Sequence, residues 1–384
     1  MSAEQRDVPD RQVGGGAGFP RLADELMALF ARGVDAPLDE STFNALALRA
    51  FTHQMDSNAT YRAFCEARGV RPAGIDRWED VPAVPATAFK RLELVSSDGR
   101  PVEAVFHTSG TTGGYGARGR HLVPSMALYR ASLLPNFRAA LLPGGERLPL
   151  LSLVPSPAEA PDSSLSAMVG TAGHELCDGV RWLVDGEGRL DLAGFVESAA
   201  ALEVEGRPAL LAGTAYAFVH VLDGLTLRGE KAPLPAGTRI METGGFKGRS
   251  RVLGRDALYR AVEELLGVPA HRVVNEYGMT ELLSQLYEPV LREGPSAERR
   301  HVPPPWLRAR ALDPGTLEPL PPGEVGLLAF FDLANLGSVC HVLTEDLGSV
   351  APDGVRLQGR VEGAEPRGCS RAMEELMTAS GRRS

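Results

Sequence analysis

His107-Thr108-Ser109-Gly110-Thr111-Thr112-Gly113-Gly114 follows the apolar run Val102–Phe106. A strand that opens into glycines and hydroxyl side chains lets backbone N–H groups and Ser/Thr oxygens converge on one anion. The segment is not a Walker A loop, which needs G-x-x-x-x-G-K-[ST]. By composition alone it suits a phosphate cradle or a solvated surface loop equally. The overlapping Gly114-Tyr115-Gly116-Ala117-Arg118-Gly119 spells a dinucleotide fingerprint without its context. Its first glycine does not directly follow the strand, and no Asp or Glu from Ala117 to Gly145 could hold a ribose.

Outward from this loop, Leu148–Val154 and Ala209–Gly213 read as further strands. Apolar residues at helical spacing predict helices over Met126–Ala140, Leu192–Leu202 and Asp256–Leu266. Such alternation favours an α/β fold around a buried sheet. Towards the N-terminus, helical spacing recurs over Arg21–Phe30 and Phe43–Arg68, while the prolines of Val81-Pro82-Ala83-Val84-Pro85 impose an extended chain. Beyond Glu288 the texture changes to proline-rich turns and the runs Val325–Phe331 and Cys340–Leu343, which predict a small β-rich lobe from about residue 289. The expected organisation is a flexible tail over 1–20, a main domain over 21–346 and a short C-terminal segment over 347–384.

The 384 residues carry 40 Lys and Arg against 49 Asp and Glu, a net charge of −9, which gives no general grip on nucleic acid or an anionic membrane. No apolar run approaches the roughly 20 residues of a membrane span, and Met1–Gly18 has no apolar signal core. Cys65, Cys177, Cys340 and Cys369 form no C-x-x-C pair and have no His at ligand spacing, so no zinc module is expected. The expectation is a cytoplasmic protein with reduced thiols.

Two further clusters carry chemistry. Asn275-Glu276-Tyr277-Gly278-Met279-Thr280-Glu281 sets an aromatic, a hydroxyl and a carboxylate within five positions, able to stack on a base, touch a phosphate and hold Mg²⁺; it also reads as the first turn of a helix. Thr344-Glu345-Asp346 with Gly359-Arg360 offers an acid for a ribose diol and a guanidinium for ribose or phosphate oxygens, or an ordinary solvated turn.

Taken in order, Thr108-Ser109-Gly110-Thr111-Thr112-Gly113, Gly244-Gly245, Tyr277-Gly278-Met279-Thr280-Glu281, Thr344-Glu345-Asp346 and Gly359-Arg360 resemble the core motifs of the adenylate-forming superfamily. The closer resemblance, from about Phe43 to Leu376, is to the acyl-protein synthetases, the LuxE-type subunit of the bacterial fatty-acid reductase complex. It implies a large α/β adenylate-forming domain with a small β-rich C-terminal lobe. It also implies two half-reactions: a carboxylic acid, with a fatty acid the expected substrate, attacks ATP to give an acyl-adenylate, and an enzyme cysteine takes the acyl group as a thioester for a partner reductase.

In those roles Thr108, Ser109, Gly110, Thr111, Thr112 and Gly113 would hold the β- and γ-phosphates, with Arg118 or Arg120 supplying positive charge. Thr280 and Glu281 would act at the α-phosphate, Glu281 as the Mg²⁺ ligand. Tyr277, with Gly278 beside it and Gly244 and Gly245 admitting a close backbone, would hold the adenine. Asp346 and Arg360 would fix the ribose. Cys369 is the candidate acyl carrier: in an extended segment Arg367 and Arg371 would share its face and favour the thiolate, with Gly368 adding mobility; an idle tail thiol is the alternative. Cys65, Cys177 and Cys340 are assigned to packing. His107 and His121 are candidates for neutralising phosphate or shuttling a proton.

The sequence departs from the superfamily's pattern in one respect. Its typical members carry a lysine after the phosphate loop and a catalytic lysine in a mobile C-terminal domain of roughly one hundred residues. Here Lys90, Lys231 and Lys247 are the only lysines, and 24 residues follow Arg360, so the expectation is a chain without that full domain. Two rival readings stay open: a stand-alone ligase passing its adenylate to CoA, and a non-catalytic scaffold subunit.

Overall fold

A computed structural model describes residues 18–108, 118–244, 254–360 and 367–381. In chain order the elements begin with α1 (Gly18–Phe30), α2 (Glu40–Ser57), α3 (Ala59–Ala67), β1 (Val84–Pro85), β2 (Ala104–His107), β3 (Arg120–Val123) and α4 (Met126–Leu141). They continue through β4 (Leu150–Leu153), α5 (Ser164–Leu176), β5 (Val180–Trp182), α6 (Leu192–Glu205), β6 (Leu210–Thr214), α7 (Ala215–Arg228), β7 (Arg239–Thr243), α8 (Arg255–Leu266), β8 (Val273–Tyr277), β9 (Leu286–Tyr287) and α9 (Val290–Glu293). The C-terminal part holds β10 (Leu307–Leu312), β11 (Val325–Asp332), β12 (His341–Ala351), β13 (Gly354–Arg360) and α10 (Arg367–Ala379).

Among the described residues the central sheet has the order β5-β4-β6-β7-β8-β9, parallel except for β9. Helices cover both faces, so the central strands β4 and β6 are near-continuous apolar runs, while β7 and β8 bury the polar Arg239, Glu242, Asn275 and Glu276. Leu150, Leu210, Ala212, Met241 and Val274 pack into the core that contains Phe137 and Val169. Leu151, Leu211, Ile240 and Val273 point the other way, into the core with Phe218 and Val262. The lobe is a second sheet, β1-β12-β11-β10, with β13 paired to β12; the hairpin β2-β3 stands apart. Val84 and Pro85 join the lobe by parallel pairing to Val342 and Leu343, which is why the proline-bounded stretch is extended.

Several sequence expectations change in detail. The helical run over Phe43–Arg68 is two helices, because Asn58 closes α2 through its N–H to Gln54 and reopens α3 with its side chain accepting from the Tyr61 amide. Of the expected tail over 1–20, residues 18–20 already belong to α1 and Phe19 is buried; 1–17 lie outside the described residues. The lobe's sheet runs past Asp346, the expected boundary, as β12 continues to Ala351 and turns into β13. The segment around Cys369 is the first turn of α10 rather than an extended chain. No helix among the described residues is long and apolar enough to cross a membrane.

Candidate active site

In a parallel sheet, ligands gather beyond the carboxyl ends of the strands. Gly244 and the turn Tyr277–Glu281 lie at those ends, after β7 and β8. The turn links β8 to β9 and is not a helix start, since β9 folds back antiparallel with Tyr277 opposite Leu286. Gly244 takes φ +77°, a left-handed conformation that glycine adopts without strain. Gly278 has a different reason to be glycine: an added Cβ would stand 2.3 Å from Oε1 of Glu276.

One end of the turn reaches the lobe. The Tyr277 hydroxyl donates to Oδ2 of Asp346 at 2.8 Å, and Arg360 Nε donates to Oδ1 of the same carboxylate at 3.1 Å. Asp346 and Arg360 are register partners on β12 and β13. Burial, with the Asp346 charge beside it, holds the Tyr277 phenol well above its ordinary pKa, so it is a donor at neutral pH. The Tyr277 ring packs against Phe330, centroids 5.6 Å apart. Thr344 fixes the approach of Asp346 by accepting its N–H at 3.1 Å.

The other end reaches the hairpin and α5. The Thr280 carbonyl accepts from Nδ1 of His121 at 2.6 Å, and its hydroxyl lies 3.5 Å from that of Ser164. Glu281 is buried, and its carbonyl accepts from Asn335 Nδ2 at 2.7 Å. The fully buried Asp332 accepts the amides of Leu283 and Ser284, at 3.0 and 2.8 Å, fixing the chain that leaves the turn.

At the base of the 109–117 segment, Thr108 and Gly119 exchange two hydrogen bonds. Arg118 donates to the Thr108 carbonyl at 2.8 Å and to Asp162 at 2.9 Å, while His107 Nδ1 stands 3.3 Å from the same carboxylate. Arg118 is therefore the cation at the loop base. Arg120 falls on the opposite face of β3 from His121, as strand alternation requires, and its guanidinium pairs with Glu93 at 2.8 Å on the surface. In the hairpin register Arg120 stands opposite His107, at the strand end from which the 109–117 segment leaves. Ser109, Gly110, Thr111, Thr112, Gly113 and Gly245 lie outside the described residues.

Cys369 also differs from expectation. It is 1 % exposed, packed with Leu312, Leu327, Ala329 and Leu343, and its Sγ lies 3.8 Å from the Thr344 carbonyl. Arg371 does not flank the thiol: in a helix, positions two apart diverge, and its guanidinium reaches the Thr316 carbonyl at 3.3 Å. Helix α10 is held on α3 by Arg68 and Glu375, 2.6 Å apart. Cys65, Cys177 and Cys340 are buried, as a packing role requires, and burial pushes the Cys65 thiol up to about 12 and that of Cys177 up to about 11. No disulfide joins the four cysteines.

Sequence reasoning passed over Glu276, Asp332 and Asn335 as site-building residues. Glu276 is buried between the two glycine turns, accepts from the Thr243 hydroxyl, and is pushed up to about 7 by burial. A carboxylate in an otherwise apolar strand end, as in Glu276-Tyr277-Gly278, was the available signal.

Residues 31–378 match the family described as acyl-protein synthetase, LuxE. The long-chain-fatty-acid–luciferin-component ligase of Vibrio harveyi is 26% identical over 349 residues, covering 86% of each chain. The enzyme of the same name from Aliivibrio fischeri is 24% identical over 353 residues, covering 86% of this chain and 88% of that one. Among solved structures, an open conformation of 2-hydroxyisobutyryl-CoA ligase in complex with 2-HIB-AMP and CoA shares the fold at a TM-score of 0.60 and 14% identity, over 92% of this chain and 93% of that one. With the α/β adenylate-forming fold in place and the family match spanning nearly the whole length, the chain belongs to the LuxE acyl-protein synthetase family.

Proposed function

We propose that this protein activates a long-chain fatty acid with ATP as an acyl-adenylate, and carries the acyl group as a thioester on Cys369 to a reductase subunit. The observation that carries the reading is the Tyr277–Asp346 hydrogen bond at 2.8 Å, which brings two distant motifs together at the sheet's carboxyl edge. In the first half-reaction a carboxylate oxygen attacks the α-phosphorus of ATP. The bond to the bridging oxygen breaks and pyrophosphate leaves with its electron pair. The Thr280 hydroxyl, held by a turn anchored at both ends, is placed to donate to the α-phosphoryl oxygens, where charge builds. Arg118 adds positive charge at the base of the 109–117 segment, and Asp346 with Arg360 receives the ribose.

Among the described residues no group of three or more His, Cys, Asp or Glu could hold a metal ion. Mg²⁺ at nucleotide sites takes one or two carboxylates and completes its shell with water and phosphate oxygens, so the single carboxyl of Glu281 fits that donor set. Bound there, Mg²⁺ would neutralise charge on the phosphates and the departing pyrophosphate.

In the second half-reaction the Cys369 thiolate, its proton lost to solvent, attacks the acyl carbon; the bond to the AMP oxygen breaks and AMP leaves. A thiol 1 % exposed has no room for an acyl chain, so on this reading α10 lifts from its packing before transfer. Incubation with labelled fatty acid, ATP and Mg²⁺ tests the whole proposal. A hydroxylamine-sensitive protein label, lost in Cys369→Ser while ATP–pyrophosphate exchange persists, supports it. Label surviving in the variant moves the acceptor elsewhere. Turnover only with CoA favours the stand-alone ligase, and no exchange with any acid favours the scaffold.

A further inference from the structure

His121 is the point where the hairpin β2-β3 meets the turn after β8. Its side chain is fully buried, its ring lies edge-on to Phe89 with centroids 5.5 Å apart, and its Nδ1 is 2.6 Å from the Thr280 carbonyl. A carbonyl can only accept, so Nδ1 carries the proton. Burial pushes the imidazole down to about 4, which leaves it neutral at physiological pH, with no charge to offer a phosphate. Its other nitrogen, Nε2, is buried with no hydrogen-bond partner among the described residues. A proton shuttle needs both nitrogens engaged in turn, and among the described residues only Nδ1 has a partner. Both roles considered from sequence, phosphate neutralisation and proton transfer, therefore give way to a third.

We propose that His121 is a positioning residue: by donating from Nδ1 to the Thr280 carbonyl it locks the turn carrying Thr280 and Glu281 onto the hairpin that carries the 109–117 segment. The inference rests on the proposed adenylation and names a residue that sets its geometry without touching substrate. The contact joins β3 to a turn 159 positions further along the chain, so no local propensity substitutes for it. The covalent path from Nδ1 back to the 109–117 segment is short: Arg120 and Gly119 to Arg118, whose guanidinium holds Thr108 and Asp162. A change of a few tenths of an ångström at Thr280 would misplace the hydroxyl relative to a phosphate seated on the hairpin.

Two substitutions separate positioning from bulk. His121→Asn holds an amide N–H close to where Nδ1 lies, while His121→Gln carries its amide out towards the Nε2 position; both remove the ring from the same buried place. In the ATP–pyrophosphate exchange assay, His121→Gln is expected to lower kcat about 10- to 100-fold, the range for lost outer-shell partners. KM for ATP should stay within about threefold, because ground-state binding is little changed. His121→Asn should recover most of kcat. Hydrogen–deuterium exchange of peptides covering 278–288 supplies a readout independent of activity: faster exchange in the Gln variant and near-wild-type protection in the Asn variant. Equal effects of the two substitutions in both assays, whether both large or both absent, would overturn the inference. Wild-type protein inert in exchange would instead remove the adenylation reading, and the deuterium comparison would still decide whether the clamp exists.

Discussion

Glu276→Gln should remove a pH-dependent weakness built into the floor of the site. The Glu276 carboxyl is buried where β8 leaves the sheet, facing the Thr243 hydroxyl, Tyr129 from α4 and Tyr287 from β9, with Glu242 on the adjacent strand. Burial is the largest influence, and it raises the carboxyl from 4.5 to about 7. Below the unfolded value both folded and unfolded chains hold the proton, and the folded state keeps its full advantage. Between the two values the folded chain keeps a proton that the unfolded chain has lost, so stability falls as pH rises; above about 7 the loss is complete. At about 1.4 kcal/mol per pH unit, the gap from 4.5 to about 7 amounts to about 3 kcal/mol. Glutamine has the same shape, can still accept from Thr243 and does not titrate. Urea unfolding from about pH 5 to 9 should therefore give wild-type and variant stabilities that converge at acid pH and separate by up to about 3 kcal/mol at alkaline pH, the variant being more stable. Parallel curves across that range would show that Glu276 does not carry a buried proton, and the reasoning would fail.

Asp346→Asn removes the charge that holds both Tyr277 and Arg360; hydrogen bonds to charged groups are worth about 1.5–3 kcal/mol, so KM for ATP in the exchange assay should rise about 10- to 100-fold. Glu281→Ala should lower the exchange rate by about two to three orders of magnitude, as loss of a charge-stabilising group does, and added Mg²⁺ should restore little of it. Arg68→Ala removes the ion pair with Glu375 that helps hold α10 on α3. A partly exposed pair contributes about 1 kcal/mol or less, so alkylation of Cys369 by iodoacetamide should accelerate up to about fivefold, read by mass spectrometry against Cys369→Ser.

Where a strand or helix was a clean apolar pattern, the sequence located it: α4, α6, α8, β4, β6 and β11 fall within a few residues of their expected ranges. The elements it hid share a physical cause. In α5, Gly170 and Gly173 break the helical pattern because the helix runs close to its neighbours; an added Cβ would meet Pro157 at 2.4 Å and Val180 at 2.3 Å. Gly224 in α7 is pressed against Leu192 in the same way, at 2.5 Å. In β7, Arg239 and Glu242 look like surface residues, yet both are buried. Arg239 is satisfied by Glu146 and the Leu141 carbonyl, and Glu242 by Tyr259 and Asn275. Partners more than 90 positions away, as for Arg239 and Glu146, leave no trace in local patterning. The site divides along the same line. Ordered motifs named Tyr277, Thr280 and Asp346, and His121 stood out as a candidate with other roles, but its contact with Thr280 and the anchors Asp332 and Asn335 become visible only when the strands are assembled.

The position of Cys369 bears on how the proposed second half-reaction would start from this packing. Its Sγ lies 3.8 Å from the carbonyl of Thr344, two residues before the carboxylate proposed to hold the ribose. β12 is bulged between Leu343 and Leu347, and within the bulge the Thr344 hydroxyl accepts the Asp346 N–H. The docked thiol lies beside the strand that would orient the adenylate. Helix α10 must part from α3, from the main core that Met373, Leu376 and Met377 enter, and from the lobe residues around Cys369. On the proposed reading the packing that keeps the thirteen-residue helix α10 docked and the thiol covered at rest sets the barrier to acyl transfer.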